Sequence, residues 1–177
     1  MIEILSETNR PGSNALKISK VLEGLYKELG RPVQILNLQD LPQEVFDPSA
    51  YATKPAALKP ITDRVLASAG IHVVTPEYNG SFPGVLKYFI DMLPFPQSFE
   101  HRRVAFTGEA AGIWGAFRSV EQLQMIFGYR NAYIMPERVW IPQVNHIWAE
   151  DGVTVKDQAV LQRLRDQAKL FTEFAAK

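Results

Sequence analysis

Apolar residues recur along this chain in two alternating rhythms. A short run, Ile2 to Leu5, has the character of a strand. Ala15, Ile18, Leu22, Leu25 and Leu29 then follow at alternating steps of three and four, one stripe of an amphipathic helix that Gly30 closes. "PVQILNL" (32–38) predicts a second strand, and Gln39 to Lys54, with Pro42 and Pro48, a loop. "AALKPITDRVLASAG" predicts a helix interrupted or begun anew near Pro60 and closed by Gly70. "IHVV" (71–74) is a continuous apolar run, the mark of a strand covered on both faces. "VLKYFIDML" (85–93) predicts a helix in which Val85, Phe89 and Leu93 share a face, and "RRVAFTGE" (102–109) a fourth strand. A fourth helix carries Ala116, Val120, Leu123 and Phe127 in register, and "AYIM" (132–135) reads as a fifth strand. After an irregular piece containing Trp140 and Trp148, a last helix is expected over roughly 155–175.

Strands that alternate with helices imply a parallel sheet with helices on both faces, because each right-handed crossover packs its helix back on the sheet. Five such units in 177 residues suit an open, doubly wound α/β sheet better than an eight-stranded barrel. Such a sheet takes ligands beyond the carboxyl ends of its strands, where strand order reverses. For the order 2-1-3-4-5 that crevice lies between the first and third strands, which singles out the loops after strands one, three and four. No repeat, low-complexity tract or linker divides the chain, so residues 1–177 are expected to form a single domain.

Composition narrows the function. Nineteen basic residues balance nineteen acidic ones, which argues against a nucleic-acid partner and against the acidic surface of a dedicated electron carrier. The absence of cysteine removes disulfides, iron–sulfur clusters, thiolate zinc sites and cysteine nucleophiles. His72, His101 and His146 lie far apart without ligand spacing, so no metal site is expected and each reads as an isolated surface or strand residue. No apolar run approaches the roughly 20 residues that span a bilayer, and no secretory signal is visible. A cytoplasmic protein with no membrane partner is expected.

The first loop, "ETNRPGSN" (7–14), holds more hydroxyls and amides than a turn needs. It leads into a helix start, where free N–H groups and the positive dipole end favour an anion. Thr8, Ser13 and Asn14 add donors suited to phosphate oxygens, and Arg10 adds a planar fork. Neither G-x-G-x-x-G nor G-x-x-x-x-G-K-[ST] is present, so a terminal monophosphate suits the loop better than a pyrophosphate. Ser13 taken alone reads equally as an N-cap. In "TPEYNGSFPG" (75–84) two prolines and Gly80 make a rigid, shaped loop whose free backbone groups could meet a planar, edge-polar heterocycle. In "TGEAAGIWG" (107–115) Gly108, Gly112 and Gly115 would let backbone approach a flat ligand, with Trp114 as a wall or as a core or contact residue.

With these loops in place, the sequence resembles the NADPH-dependent FMN reductase family, which includes quinone, azo-dye and chromate reductases. The family's hydroxyl–arginine–serine pattern after strand one falls on Thr8, Arg10 and Ser13, followed by Asn14. Its P-E-Y-N-[GHR]-S-x-P-G loop stands as Pro76-Glu77-Tyr78-Asn79-Gly80-Ser81-Phe82-Pro83-Gly84. "VLKYFIDML" and "DLPQEVFDPSAY" also look like the family's segments, so the similarity covers most of the first 130 residues. Residues 136–152 carry no family motif.

The resemblance implies a flavodoxin-like three-layer sandwich with tightly, noncovalently bound FMN. Thr8, Arg10, Ser13 and Asn14 would hold its phosphate. Pro76, Glu77, Tyr78, Asn79 and Gly80 would meet the polar isoalloxazine edge, chiefly through backbone, and Gly108, Glu109 and Ala110 would close the other side. Two departures stand out. Glu7 replaces the family's usual glycine and is expected to point away, since a carboxylate would repel the phosphate. Glu109 stands where many relatives have a small or hydroxyl residue. The implied activity is a ping-pong cycle in which NADPH or NADH gives a hydride to flavin N5, leaves, and is followed by a small-molecule acceptor: a quinone, an azo compound, a metal oxyanion or free flavin. No side chain is assigned as a catalytic acid or base. A homodimer or homotetramer is implied, with Phe95, Phe99 and Trp148 either at its interface or in local packing. The alternatives are an electron-transfer protein of the flavodoxin type and a flavin-free interaction module.

Overall fold

The computed structural model describes residues 1–176. In chain order these residues form β1 (Ile2–Ser6), α1 (Asn14–Glu28), β2 (Val33–Asn37), α2 (Lys59–Ala67), β3 (Gly70–Pro76), α3 (Gly84–Met92), β4 (Arg103–Glu109), α4 (Phe117–Tyr129), β5 (Tyr133–Ile134), β6 (Val139–Ile141) and α5 (Gln158–Phe174). The sheet runs β2-β1-β3-β4-β5 with every pair parallel, the order the sequence predicts for a doubly wound fold. Between β2 and α2 the chain is less plain than the predicted loop: it makes four short 3-10 turns that bury Leu38, Val45, Ala50 and Leu58.

Strand alternation sends successive side chains to opposite layers. Ile2 and Ile4 join Ile18, Leu22 and Leu25 of α1 and Leu164, Ala168 and Phe171 of α5 on one face. Leu5 joins Val65 of α2, Leu86, Phe89 and Ile90 of α3, and Val120, Leu123 and Phe127 of α4 on the other. The predicted stripe of α1 is buried from Ala15 to Leu25, while Leu29, at the helix C-cap, is more than a third exposed. In α3 the buried face centres on Leu86, Phe89 and Ile90, leaving Val85 half-buried.

The piece after the predicted fifth strand is not irregular throughout. Pro136 ends the β5 run, and Val139–Ile141 then re-enters the sheet as β6, pairing with Thr107–Glu109 of β4. β5 pairs with Arg103 and Val104 at the far end of the same strand. The edge beside β4 is thus made in two pieces, and the second lies at the ligand end. Two suggested interface residues prove to be internal. Phe99 is buried edge-on against Phe127, with ring centroids 4.9 Å apart, and Trp148 is buried in the α1–α5 core. Phe95 remains 69% exposed. Among the described residues no helix is long and apolar enough to cross a membrane.

His72 is not an isolated strand residue. It sits fully buried in a chain of hydrogen bonds whose polarity can be read from one end. Gln167 Nε2 donates to the Phe106 and Glu137 carbonyls, so its Oε1 is free to accept from Thr107 Oγ1 at 2.7 Å. Thr107 therefore accepts from His72 Nε2 at 2.8 Å, and His72 Nδ1 accepts from Tyr26 OH at 2.7 Å. Burial pushes the imidazole down from 6.5 to about 3, with Gln167 acting in the opposite direction. The neutral ring is at home here, and a protonated one would be an uncompensated buried charge. Above pH 6.5 this contribution to stability is complete. As pH falls toward about 3, the unfolded chain takes up a proton the native state refuses, and stability drops by about 1.4 kcal/mol per pH unit from this group. The ring proton resonances of His72 should stay unshifted to pH 4.5; a midpoint above 5 would mean that the ring is open to water.

Candidate active site

The loops after β1, β3 and β4 converge at the carboxyl end of the sheet. Thr8 is buried at the start of the first, where its hydroxyl shares a 3.1 Å hydrogen bond with Tyr78 OH and accepts from the Arg10 N–H at 3.2 Å. That pair ties the first loop to the second and fixes the backbone from which the exposed Arg10 side chain extends. Ser13 is the N-cap of α1, accepting from Leu16 N–H at 3.2 Å. The other N–H groups of the first helical turn have no intrahelical partner and carry the positive end of the helix dipole. Asn14 is held from a distant part of the chain. Its Oδ1 accepts from Trp148 Nε1 at 3.0 Å, and its Nδ2 donates to Asn145 Oδ1 at 3.0 Å. One turn along α1, the Lys17 ammonium lies 5.4 Å from the centroid of the Trp148 ring.

The second loop contains a turn that explains its central residues. Asn79 and Gly80 both have positive φ, 53° and 75°, and Tyr78 and Ser81 exchange backbone hydrogen bonds at 2.8 and 3.1 Å around them. This is a type I′ turn, for which Asn-Gly is the favoured pair. Asn79 and Gly80 therefore form the tip, while Pro76, Glu77 and Tyr78 face the crevice. α4 braces the loop from behind: Gln122 Nε2 donates to the Gly80 carbonyl at 3.2 Å, and Ser119 Oγ donates to that of Pro76 at 3.1 Å.

In the third loop, two of the three glycines serve the protein's own packing. A Cβ on Gly108 would stand 2.7 Å from the Gly115 carbonyl oxygen and 3.0 Å from Ala116 Cβ. Gly115, at φ 60°, lies against the backbone of Ile141 and Pro142. The loop is stitched on both sides. Glu77 N–H donates to the Glu109 carbonyl at 3.2 Å, Ala110 N–H to that of Ile141 at 3.1 Å, and Val144 N–H to that of Ala110 at 3.0 Å. β6 thereby carries Val144 and Asn145 to the rim. Trp114 is neither a wall nor a core residue; it is 72% exposed.

Together these elements enclose a cleft of about 460 Å³. Of the twelve residues singled out from sequence, Arg10, Ser13, Asn14, Pro76, Glu77, Tyr78, Glu109 and Ala110 line it. Thr8 lies beneath, Asn79 and Gly80 form the turn tip, and Gly108 packs against α4. Lys17 and Asn145 also line the cleft. Lys17 was findable, one helical turn after Asn14; Asn145 had no local signal.

Two carboxyls set the electrostatics. Glu7 is fully buried, and neither of its oxygens has a hydrogen-bond partner. Strand alternation puts it on the side of Leu5, the α2–α3–α4 face, beside Thr75, whose hydroxyl lies 2.8 Å from Ser119 Oγ of α4. It thus lies on the face opposite the N-terminus of α1. Burial pushes its pKa well above the ordinary carboxylate range, with the neighbouring Thr75 hydroxyl pulling the other way. Glu109 lines the cleft itself and is 5% exposed. Burial raises its carboxyl to about 7, while the Ala15 N–H and the Arg10 cation hold it down.

The sequence profile of the family described as NADPH-dependent FMN reductase matches residues 1–146, a span that includes all three loops and the β6 segment. The chain belongs to the NADPH-dependent FMN reductase family. Membership makes it an oxidoreductase of the FMN- and NAD(P)H-dependent class. It is 29% identical over 142 residues to a quinone reductase of Escherichia coli strain K12, covering 78% of this chain and 75% of the relative. An NAD(P)H-dependent FMN reductase of Pseudomonas aeruginosa is 27% identical over 135 residues, 73% of this chain and 71% of that one. Among solved structures, the flavoenzyme NAD(P)H:(acceptor) oxidoreductase FerB of Paracoccus denitrificans superposes with a TM-score of 0.82 at 27% identity, over 99% of this chain and 96% of that one. That superposition extends the structural likeness through α5, beyond the profile match.

Proposed function

We propose that this family member holds FMN in the cleft and passes reducing equivalents from NADPH or NADH to a small-molecule acceptor by alternate occupancy of one open face. The observation that carries the reading is that the α1 N-terminus, Arg10 and Lys17 line one cleft together with Pro76, Glu77 and Tyr78. Its volume of about 460 Å³ lies in the range of small-ligand sites. The donor set fits the group: helix N–H groups and a guanidinium suit a phosphate, and the only acid in the family's glycine position, Glu7, faces the other way.

When bound, FMN supplies two-electron hydride chemistry. The chain's own residues bind and orient. Arg10 and the first turn of α1 hold the phosphate; Asn14, locked by Trp148 and Asn145, shapes that turn more than it binds. Thr8 and Tyr78 fix the two loops against each other, and the backbone of Glu77 and Tyr78 presents fixed groups to the polar ring edge. Quinones, azo compounds, metal oxyanions and free flavin are the proposed acceptors. Exposed Ile113, Trp114, Phe117, Met125 and Tyr129 run from the third loop along α4, and a second copy of the chain laid on this face would cover them.

Purified protein should carry, or take up, one FMN per chain by absorbance. Steady-state oxidation of NADPH and NADH against a benzoquinone should then give parallel double-reciprocal lines. Intersecting lines would sink the alternate-occupancy scheme. A chain that takes up no FMN would sink the assignment.

A further inference from the structure

The third loop places an acid among donors that an anionic ligand needs. Glu109 ends β4 with its backbone fixed from both sides, by Glu77 N–H on its own carbonyl at 3.2 Å and by the Ala110 N–H on the Ile141 carbonyl at 3.1 Å. The side chain is 5% exposed and lines the cleft with Arg10, Ser13 and Lys17. The groups that share the cleft with it are Arg10 from the first loop, the Ala15 N–H and Lys17 from α1, Glu77 and Tyr78 from the second loop, and the neutral Asn145 beyond β6. Two cations and a helix start therefore meet two carboxyls, and Glu109 is the one drawn toward Arg10 and α1.

We infer that the Glu109 carboxyl competes with the FMN phosphate for Arg10 and the N-terminus of α1, so that FMN binds with uptake of one proton. The inference rests on the proposed FMN site. The balance is simple: the ionised carboxylate, FMN and one proton give the complex with a neutral carboxylic acid, and no bond other than O–H is made. The backbone clamps keep Glu109 from withdrawing, so protonation is the way to lift its repulsion of a phosphate dianion. Burial has already brought the carboxyl to about 7, where a phosphate monoester with a second pKa of about 6 is mostly dianionic. FMN occupancy then becomes a function of pH.

The dissociation constant is read from the fluorescence of FMN released when the full chain, loaded with one equivalent, is serially diluted between pH 6 and 9 at constant ionic strength. In the parent protein it should rise about tenfold per pH unit above about 7. Glu109→Gln should flatten that rise, and riboflavin, which lacks the phosphate, should bind the parent with flat pH dependence. Calorimetry of the parent in two buffers of different ionisation enthalpy should show close to one proton taken up at pH 8, a readout that does not depend on the variant folding. A flat FMN profile in the parent, an equal rise in Glu109→Gln, an equal rise with riboflavin, or no proton uptake overturns the inference while leaving FMN binding intact. FMN bound at no pH overturns the underlying site and the inference with it.

Discussion

Arg10→Ala is expected to weaken FMN binding by roughly 10²-fold or more, because removing one partner of a desolvated charge pair costs about 2–5 kcal/mol. The structure adds reasons to assign that effect to Arg10. Its N–H is pinned on Thr8 Oγ1, which is in turn bonded to Tyr78, so the guanidinium extends from a backbone that cannot drift from the cleft. Lys17, the other cation of the site, lies above the Trp148 ring and offers a single ammonium where Arg10 offers a planar fork. Arg10 also holds the Glu109 carboxyl down. Without it, Glu109 rises further and is more often neutral near pH 7.5. Part of the loss is thereby masked at that pH, and the deficit should be larger at pH 6, where the parent's Glu109 is already neutral. Riboflavin affinity should change little in the variant. Equal losses for FMN and riboflavin would assign Arg10 to the ring and not to the phosphate.

The layers and the site's skeleton were legible because they rest on local signals. Ala116, Val120, Leu123 and Phe127 keep helical spacing and are all fully buried. Ser13 sits where an N-cap belongs, and Asn79-Gly80 is a turn signal that the type I′ geometry answers. What stayed hidden depends on partners distant in sequence. β6 is three residues long between Pro136 and Pro142, too short for a period to show, and it exists because the end of β4 needs a neighbour. Asn145 gains its place from a hydrogen bond to Asn14 across 131 positions, and Trp148 is drawn inside by another across 134. Gly108 and Gly115 were expected to clear space for a ligand; they clear it for α4 and β6. His72 looked bland in an apolar run, and nothing local pairs it with Tyr26, Thr107 and Gln167.

Glu7 is where the family pattern and the physics pull hardest against each other, and its replacement should change stability more than any surface substitution. The carboxyl is fully buried without a hydrogen-bond partner, so the native state favours the neutral form, and burial holds its pKa well above 4.5. The unfolded chain, by contrast, ionises in the ordinary range. Below about 4.5 both states are protonated and the residue costs only its unmet hydrogen bonds. As pH rises past that point, unfolding releases a proton that the native state retains, and stability falls by about 1.4 kcal/mol per pH unit until the native pKa is reached. This slope opposes that of His72, which raises stability with pH between about 3 and 6.5. Above about 4.5 the two therefore pull in opposite directions, and the His72 contribution is complete by pH 6.5. Glu7→Gln keeps the shape and removes the ionisation. Its urea midpoint should therefore exceed that of the parent by a margin that widens as pH rises above about 4.5. If the two proteins instead keep a constant offset as pH rises above 4.5, Glu7 is ionised in the folded state, and a cation or water must be reaching it beneath the Pro76–Tyr78 loop.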